Sequence, residues 1–447
     1  MVVEDPPERL GSWAAAPFSL VYRQLWQQLR AAEWAAYEAG GRLGRSPMDR
    51  AIFDAASSRT RAQEPDGDRL LVEAVRRRAL VDHHPDISRL RDRLDDPAAY
   101  DSLPSPASPA SLRRLAAAME PDLVALIRLR GRLAHELGAP SYTHLAMAAE
   151  GLELGELEAE LRRARDRSLV AAGKLVEDAG LTIDTWADDL DRIAGPAEAN
   201  VSAVVRDVAD RLDCGDLLDR ITWSVRDGPL AGWAVAVSIP DDVRLVVRPV
   251  RSIRDLATVL HELGHAFAYA ATEALGIRGI PSDTQDEVMG TILERIGLEL
   301  LGLYATTGLS TVEAAETART ATSALFEMAI QDEPERAQEL FGSWFSPVAP
   351  VSDPVIWTLD TFRSVDPCRV HAYALGAGLA DTLVTSLQRW FGDETRAWGR
   401  WLRTQLWAPG RRTTFAELAA LMASDRRHEG SGSGSVGSAR PGGPLLD

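Results

Sequence analysis

The chain has 447 residues, 45% hydrophobic and 26% charged, the balance of an ordinary globular protein long enough for one large helical body or for two lobes around a cleft. Its net charge of −17 works against a nucleic-acid function, because a phosphate-binding surface would have to be built against the field of the whole molecule. No apolar run approaches the roughly 20 residues that cross a bilayer, and MVVEDPPERLGSW at the N-terminus lacks the features of a secretory signal, so a cytoplasmic protein with no membrane partner is expected.

Apolar residues recur at three- and four-residue spacing over 17–40, 69–81, 111–138, 153–179 and 196–212. They predict a helical first region, 1–215, broken by Pro104, Pro106 and Pro109, by Gly138 and Pro140, and by Gly180. The run Arg76, Arg77, Arg78 reads as a solvated helix face. After Gly215 the pattern changes. ITWSVRD (221–227), GWAVAVSIP (232–240) and VRLVVRPV (243–250) are short and β-branched or alternating, and predict a small antiparallel sheet. Helical spacing returns near 253 and continues to about 424, completing a second region, 216–425. The remainder, 426–447, is a Gly/Ser/Pro-rich tail with nothing to bury, expected to be disordered. Cys214 and Cys368 form no metal-type or redox-type pair and read as reduced thiols.

The segment SIRDLATVLHELGHAFAYA (252–270) concentrates the chemistry. Ser252 and Asp255 resemble a capping box, and Leu256, Val259, Leu260, Leu263 and Phe267 mark one apolar stripe, so this is a helix with a buried face. His261 and His265 lie four residues apart, which puts both imidazoles on one side, as two ligands of a tetrahedral zinc require. Glu262 is rotated too far to be a third ligand but is close enough to take a proton from a metal-activated water. HELGA at 135–139 is an internal control: Ala139 stands where the second histidine would be, and that copy reads as a plain helix end. His83, His84, His144 and His428 show no partner pattern.

Such a site needs a third protein ligand. In DTQDEVMGTILERIGLELLGLY (283–304), Glu287, Thr291 and Glu294 share one face of an otherwise apolar helix, a costly stripe unless it meets something. Glu287 is the candidate ligand, with Glu294 or Thr291 bonded to a ligand histidine. Asp283 reads as the helix cap and Asp286 as pointing elsewhere.

DLATVLHELGHA followed by EVMGTILE resembles the thimet oligopeptidase and oligoendopeptidase F family of zinc peptidases. Thr258, His261, Glu262, Gly264 and His265 match its Thr-Leu-x-His-Glu-x-Gly-His helix, and Glu287 and Glu294 match its second motif. RGRLAHELGAPSYTHLAM (130–147) and VHAYALGAGLADTL (370–383) are similar to further helical segments of these enzymes. The dipeptidyl carboxypeptidase group related to angiotensin-converting enzyme has a similar layout. The resemblance implies a mostly α, two-lobed metallopeptidase with a deep channel for short unstructured peptides and one zinc per chain. Tyr373 would hydrogen-bond the oxyanion, although the residues alone read equally well as a helix-packing tyrosine. The family carries a histidine upstream of this tyrosine; residues 346–370 contain none, and His371 is the residue that would substitute. VRLVVRPV would line the channel and pair with the peptide backbone. Arg363 and Arg369 read as surface arginines, with anchoring of a substrate carboxylate as the other reading. A zinc-binding relative without activity and a carboxypeptidase or dedicated maturation protease are the alternatives. The intact Glu262 argues against the first, since a purely structural site has no use for that carboxylate.

Overall fold

The computed structural model describes residues 17–39, 46–58, 69–94, 108–228, 230–304, 308–412, 417, 419 and 420. The tail expected from 426 lies outside them. The first region is helical: α1 (Phe18–Glu38), α2 (Ser46–Ser58), α3 (Arg69–Asp82), α4 (Pro85–Leu94), α5 (Pro109–Glu136), α6 (Tyr142–Glu150), α7 (Leu154–Ala179), α8 (Trp186–Ala194) and α9 (Val201–Arg211). Local chemistry sets several of their ends. Ser108 caps α5 ahead of Pro109, and Ser141 caps α6. Gly151 and Gly180 close α6 and α7 in the left-handed conformation. The HELGA copy is indeed a helix end, since α5 stops at Glu136.

One expected helix starts late. Asn200 Oδ1 accepts the Ala203 N–H at 3.1 Å, so α9 begins at Val201 and not near 196. The preceding Pro196–Ala199 is a strand, β1, which pairs antiparallel with β5 (Val250–Ser252). The arginine run on α3 is also not a solvated face. Arg76 reaches the Ala56 carbonyl, Arg77 the Leu137 carbonyl, and Arg78 pairs with Asp82, Glu150 and Asp283. These side chains join α3 to its neighbours.

The small sheet is present between the two helical regions. It comprises β2 (Ile221–Val225), β3 (Gly232–Ser238) and β4 (Asp242–Val247) in the order β2-β4-β3. The β3–β4 pair is antiparallel, whereas β2 runs parallel to β4. Val243, Leu245, Val246 and Val247 of β4 are all buried, the signature of a central strand. β4 therefore has a partner on each side, and VRLVVRPV cannot offer a peptide a free edge along β4.

After the sheet come α10 (Ile253–Ala271), α11 (Asp283–Leu300), α12 (Leu309–Asp332), α13 (Ala337–Phe345), α14 (His371–Phe391) and α15 (Thr395–Trp401). Both halves of the Ser252/Asp255 capping box are made. The stripe Leu256, Val259, Leu260, Leu263 and Phe267 is at most 4% exposed, and each such side chain contributes about 1.5–3 kcal/mol on burial. It builds the largest core cluster with β4, α9, α11 and α14. At the α10–α11 crossing a Cβ on Gly264 would lie 2.6 Å from the Met289 carbonyl oxygen. Only glycine lets the two backbones approach so closely, and this brings the polar stripe of α11 to the histidines of α10. α11 is capped by Ser282 rather than Asp283, which is instead engaged by Arg78. Both cysteines are buried free thiols. Among the described residues no helix is long and apolar enough to cross a membrane.

Candidate metal and catalytic site

His261 and His265 leave α10 one turn apart, their ring centroids separated by 4.8 Å. Glu287, only 2% exposed, comes down from α11 between them. Its Oε2 lies 3.2 Å from His261 Nε2 and 3.9 Å from His265 Nε2. Ligand atoms of these three residues lie within 4.8 Å of one another, and among the described residues this is the group so arranged.

Each histidine is held at its other nitrogen by a carboxylate. Glu294 Oε2 lies 3.1 Å from His261 Nδ1, and Asp286 Oδ1 lies 2.9 Å from His265 Nδ1. A carboxylate at Nδ1 fixes the ring and leaves Nε2 available to a metal. Tyr269 donates to the other oxygen of Asp286 at 2.9 Å. Glu294 thus stands where the sequence reading put it. Thr291 does not: its hydroxyl donates to the Glu287 carbonyl within α11 at 2.8 Å. Asp286, read as pointing elsewhere, is the partner of the second histidine. The signal was the pair His265 and Tyr269, four residues apart on one face of α10, both facing the start of α11.

The donor set fits a zinc ion. Bonds of about 2.0–2.2 Å at tetrahedral angles place ligand atoms roughly 3.3 Å apart, close to the His261–Glu287 separation and somewhat tighter than the His265–Glu287 one. Gly290 leaves room for the His261 ring, since a Cβ there would fall 2.6 Å from His261 Nε2. Burial opposes charging His261, yet Glu287 and Glu294 override it and raise its pKa well above the usual value; Asp286 likewise raises that of His265. Burial also opposes ionisation of Glu287, but Arg369 and the two histidines hold its pKa far below the ordinary carboxylate range.

Glu262 lines the cleft beside His261, and burial raises its pKa. The edge strand β3 runs against it: a Cβ on Gly232 would lie 2.6 Å from Glu262 Cγ, and the Ala234 N–H bonds the carboxylate. A carboxylate with a raised pKa, held by one backbone donor, is suited to take up a proton and return it. The cleft measures about 1380 Å³ and lies between α7, α10, α11, α12 and α14.

Tyr373 opens into this cleft from α14. Its ring stacks on His261 at 6.3 Å and 20°, and its hydroxyl bonds Glu287. His371 is placed elsewhere. It does not line the cleft, its Nε2 is 2.8 Å from Thr284 Oγ1, and burial pushes its pKa down to about 4. A buried histidine spent on a threonine has no path to a substrate oxygen, so the catalytic role expected for it is not carried forward. Neither arginine is on the surface. Arg363 is 3% exposed, donates to the Trp357 carbonyl and Ser323, and lies over the Phe326 ring. Arg369 meets Glu287.

The fold is that of helical metallopeptidases. Over 90% of this chain and 83% of the other, it superposes on PZ peptidase A solved with an inhibitor, at a TM-score of 0.59 and 12% identity. A carboxypeptidase from Pyrococcus furiosus gives a TM-score of 0.61 at 12% identity, covering 94% of this chain and 96% of its own. Metallocarboxypeptidase 1 of Trypanosoma cruzi gives 0.55 at 17%, covering 92% and 96%. Neither a family model nor a curated protein matches the sequence.

Proposed function

We propose that the chain is a zinc-dependent peptidase acting on short, unstructured peptides. One observation carries the reading: His261 Nε2, His265 Nε2 and Glu287 Oε2 converge, with Glu294 and Asp286 holding the two histidines from behind and Glu262 alongside. A structural site needs the donors; only a hydrolytic one needs the neighbouring carboxylate. The fold shared with peptidases supports it.

Zinc held by His261, His265 and Glu287, one per chain, would supply Lewis acidity and a water acidified towards neutral pH. The remaining work falls to the chain itself. Glu262 takes a proton from the attacking water and delivers it to the departing amine, the Ala234 N–H holding its carboxylate in place between the two transfers. Tyr373, stacked on His261, would turn its hydroxyl from Glu287 to the oxygen that becomes negative when the carbonyl is attacked. β3 is the edge strand beside Glu262, and an extended peptide added there would present its scissile bond to that residue.

A cleft of about 1380 Å³ between helices has room for a short peptide. Two neighbours are carboxypeptidases, so products must decide the cleavage register. The test is hydrolysis of quenched short peptides, lost on chelation and restored by zinc. Turnover unaffected by prolonged chelation would contradict the proposal.

A further inference from the structure

We propose that Arg369 is a positioning residue for the metal site, fixing Glu287 so that one carboxylate oxygen alone faces the two histidines. The inference rests on the zinc reading above and adds to it a residue from a different part of the chain. Arg369 Nε donates to Glu287 Oε1 at 2.9 Å, and its Nη2 donates to the same oxygen. The opposite oxygen, Oε2, faces His261 and His265. The carboxylate is thus divided, one oxygen spent on the guanidinium and the other left for the metal.

The last torsion of a glutamate is broad and roughly two-fold, so an unheld carboxylate exchanges its oxygens or offers both. Two N–H donors on Oε1 oppose that rotation. Arginine suits the task because it cannot lose its proton in the site and its donors diverge from a rigid plane. Its Nη2 also lies 3.7 Å from Asp286 Oδ2, so the same cation faces the acid behind His265.

The backbone that delivers Arg369 is itself pinned. Cys368 sits at φ +62°, in the left-handed region, and its N–H is held by Glu327 Oε1 at 2.8 Å. Three residues later, at His371, α14 begins, carrying Tyr373 on its first turn. Arg369 therefore ties the segment bearing the oxyanion donor to the helix bearing the metal ligand. A substrate-anchoring arginine would keep its donors for the ligand, whereas here Nε and Nη2 are both committed to Glu287.

The test is zinc affinity by chelator competition for wild type, R369K and R369Q, with melting curves of the metal-free proteins and separate kcat and KM values on a quenched peptide. R369Q is expected to bind zinc at least about tenfold more weakly, as for other residues that hold a metal ligand from behind. R369K, which keeps the charge and loses the two-pronged donor, should fall between it and wild type. In both, kcat should drop while KM stays within about twofold of wild type, the limit set for a residue that does not touch the substrate. Should R369Q fail to fold, the R369K affinity decides. Zinc affinity unchanged in R369K, with KM raised only for peptides bearing a free C-terminal carboxylate, would overturn the proposal in favour of a substrate anchor. A wild type that binds no zinc would remove the metal reading itself, an outcome distinct from wild type and R369Q binding zinc equally well, which would overturn the positioning role alone.

Discussion

Gly290 stands against His261 with no room for a side chain: a Cβ there would lie 2.6 Å from the imidazole Nε2. The obstructed atom is the proposed ligating one, and Glu294 holds the ring at Nδ1, so the ring cannot swing aside freely. Gly290→Ala should therefore fold but bind zinc at least about tenfold more weakly. Chelator competition beside a far-ultraviolet circular dichroism spectrum checks this; an affinity equal to wild type would show that the ring has slack.

Asp286 holds His265 from behind, and Asp286→Asn retains an oxygen that can accept from Nδ1 while removing the charge. Zinc affinity should fall about 10- to 100-fold in Asp286→Ala and less in Asp286→Asn. Isothermal titration would rank the two, and equal losses would mean that charge, not orientation, is what Asp286 contributes.

Tyr373→Phe deletes the hydroxyl and leaves the ring stacked on His261. If that hydroxyl meets the developing negative charge, kcat should drop about 10²- to 10³-fold at saturating zinc; because the hydroxyl also bonds Glu287, zinc affinity is measured alongside. Steady-state kinetics on a short peptide separates this from a packing role, for which kcat would be nearly unaltered.

Acid should act far from the site. Asp49, 2% exposed, accepts from Ser88 and Arg91 and meets His83 at 2.7 Å. Burial would raise its pKa, but these partners lower it to about 2. A depressed folded-state pKa gives stability that is complete above the unfolded value near 3.8 and lost as the pH falls towards 2. The linkage is worth about 2 kcal/mol. Asp49→Asn should lower the melting temperature at pH 7 and flatten its decline between pH 5 and pH 2, as followed by thermal melts across that range.

Much of the site was legible because helical periodicity is a short-range rule. His261 and His265 at a spacing of four, and Glu287 and Glu294 on one face of a second apolar helix, required only that the two helices meet. Residues whose partners come from distant segments were not legible in the same way. Arg369 lies 82 residues beyond Glu287, and nothing local distinguishes it from a surface arginine. Thr291 shares the polar face of α11 but satisfies its hydroxyl within the helix, as threonines in helices commonly do. The central place of β4 follows from long-range pairing with β2, although its near-continuous apolar run was a signal. At Pro196–Ala199, the cap at Asn200 prevailed over apolar spacing.

The most direct test of the central claim is zinc content and peptide hydrolysis measured together on wild type and Glu262→Gln. About one zinc per chain is expected in both, with hydrolysis in the variant lower by about 10²- to 10⁴-fold, since the role proposed for Glu262 is to move the proton without holding the metal. Wild-type protein that takes up no zinc, or a variant that hydrolyses peptides as fast as wild type, would contradict that claim.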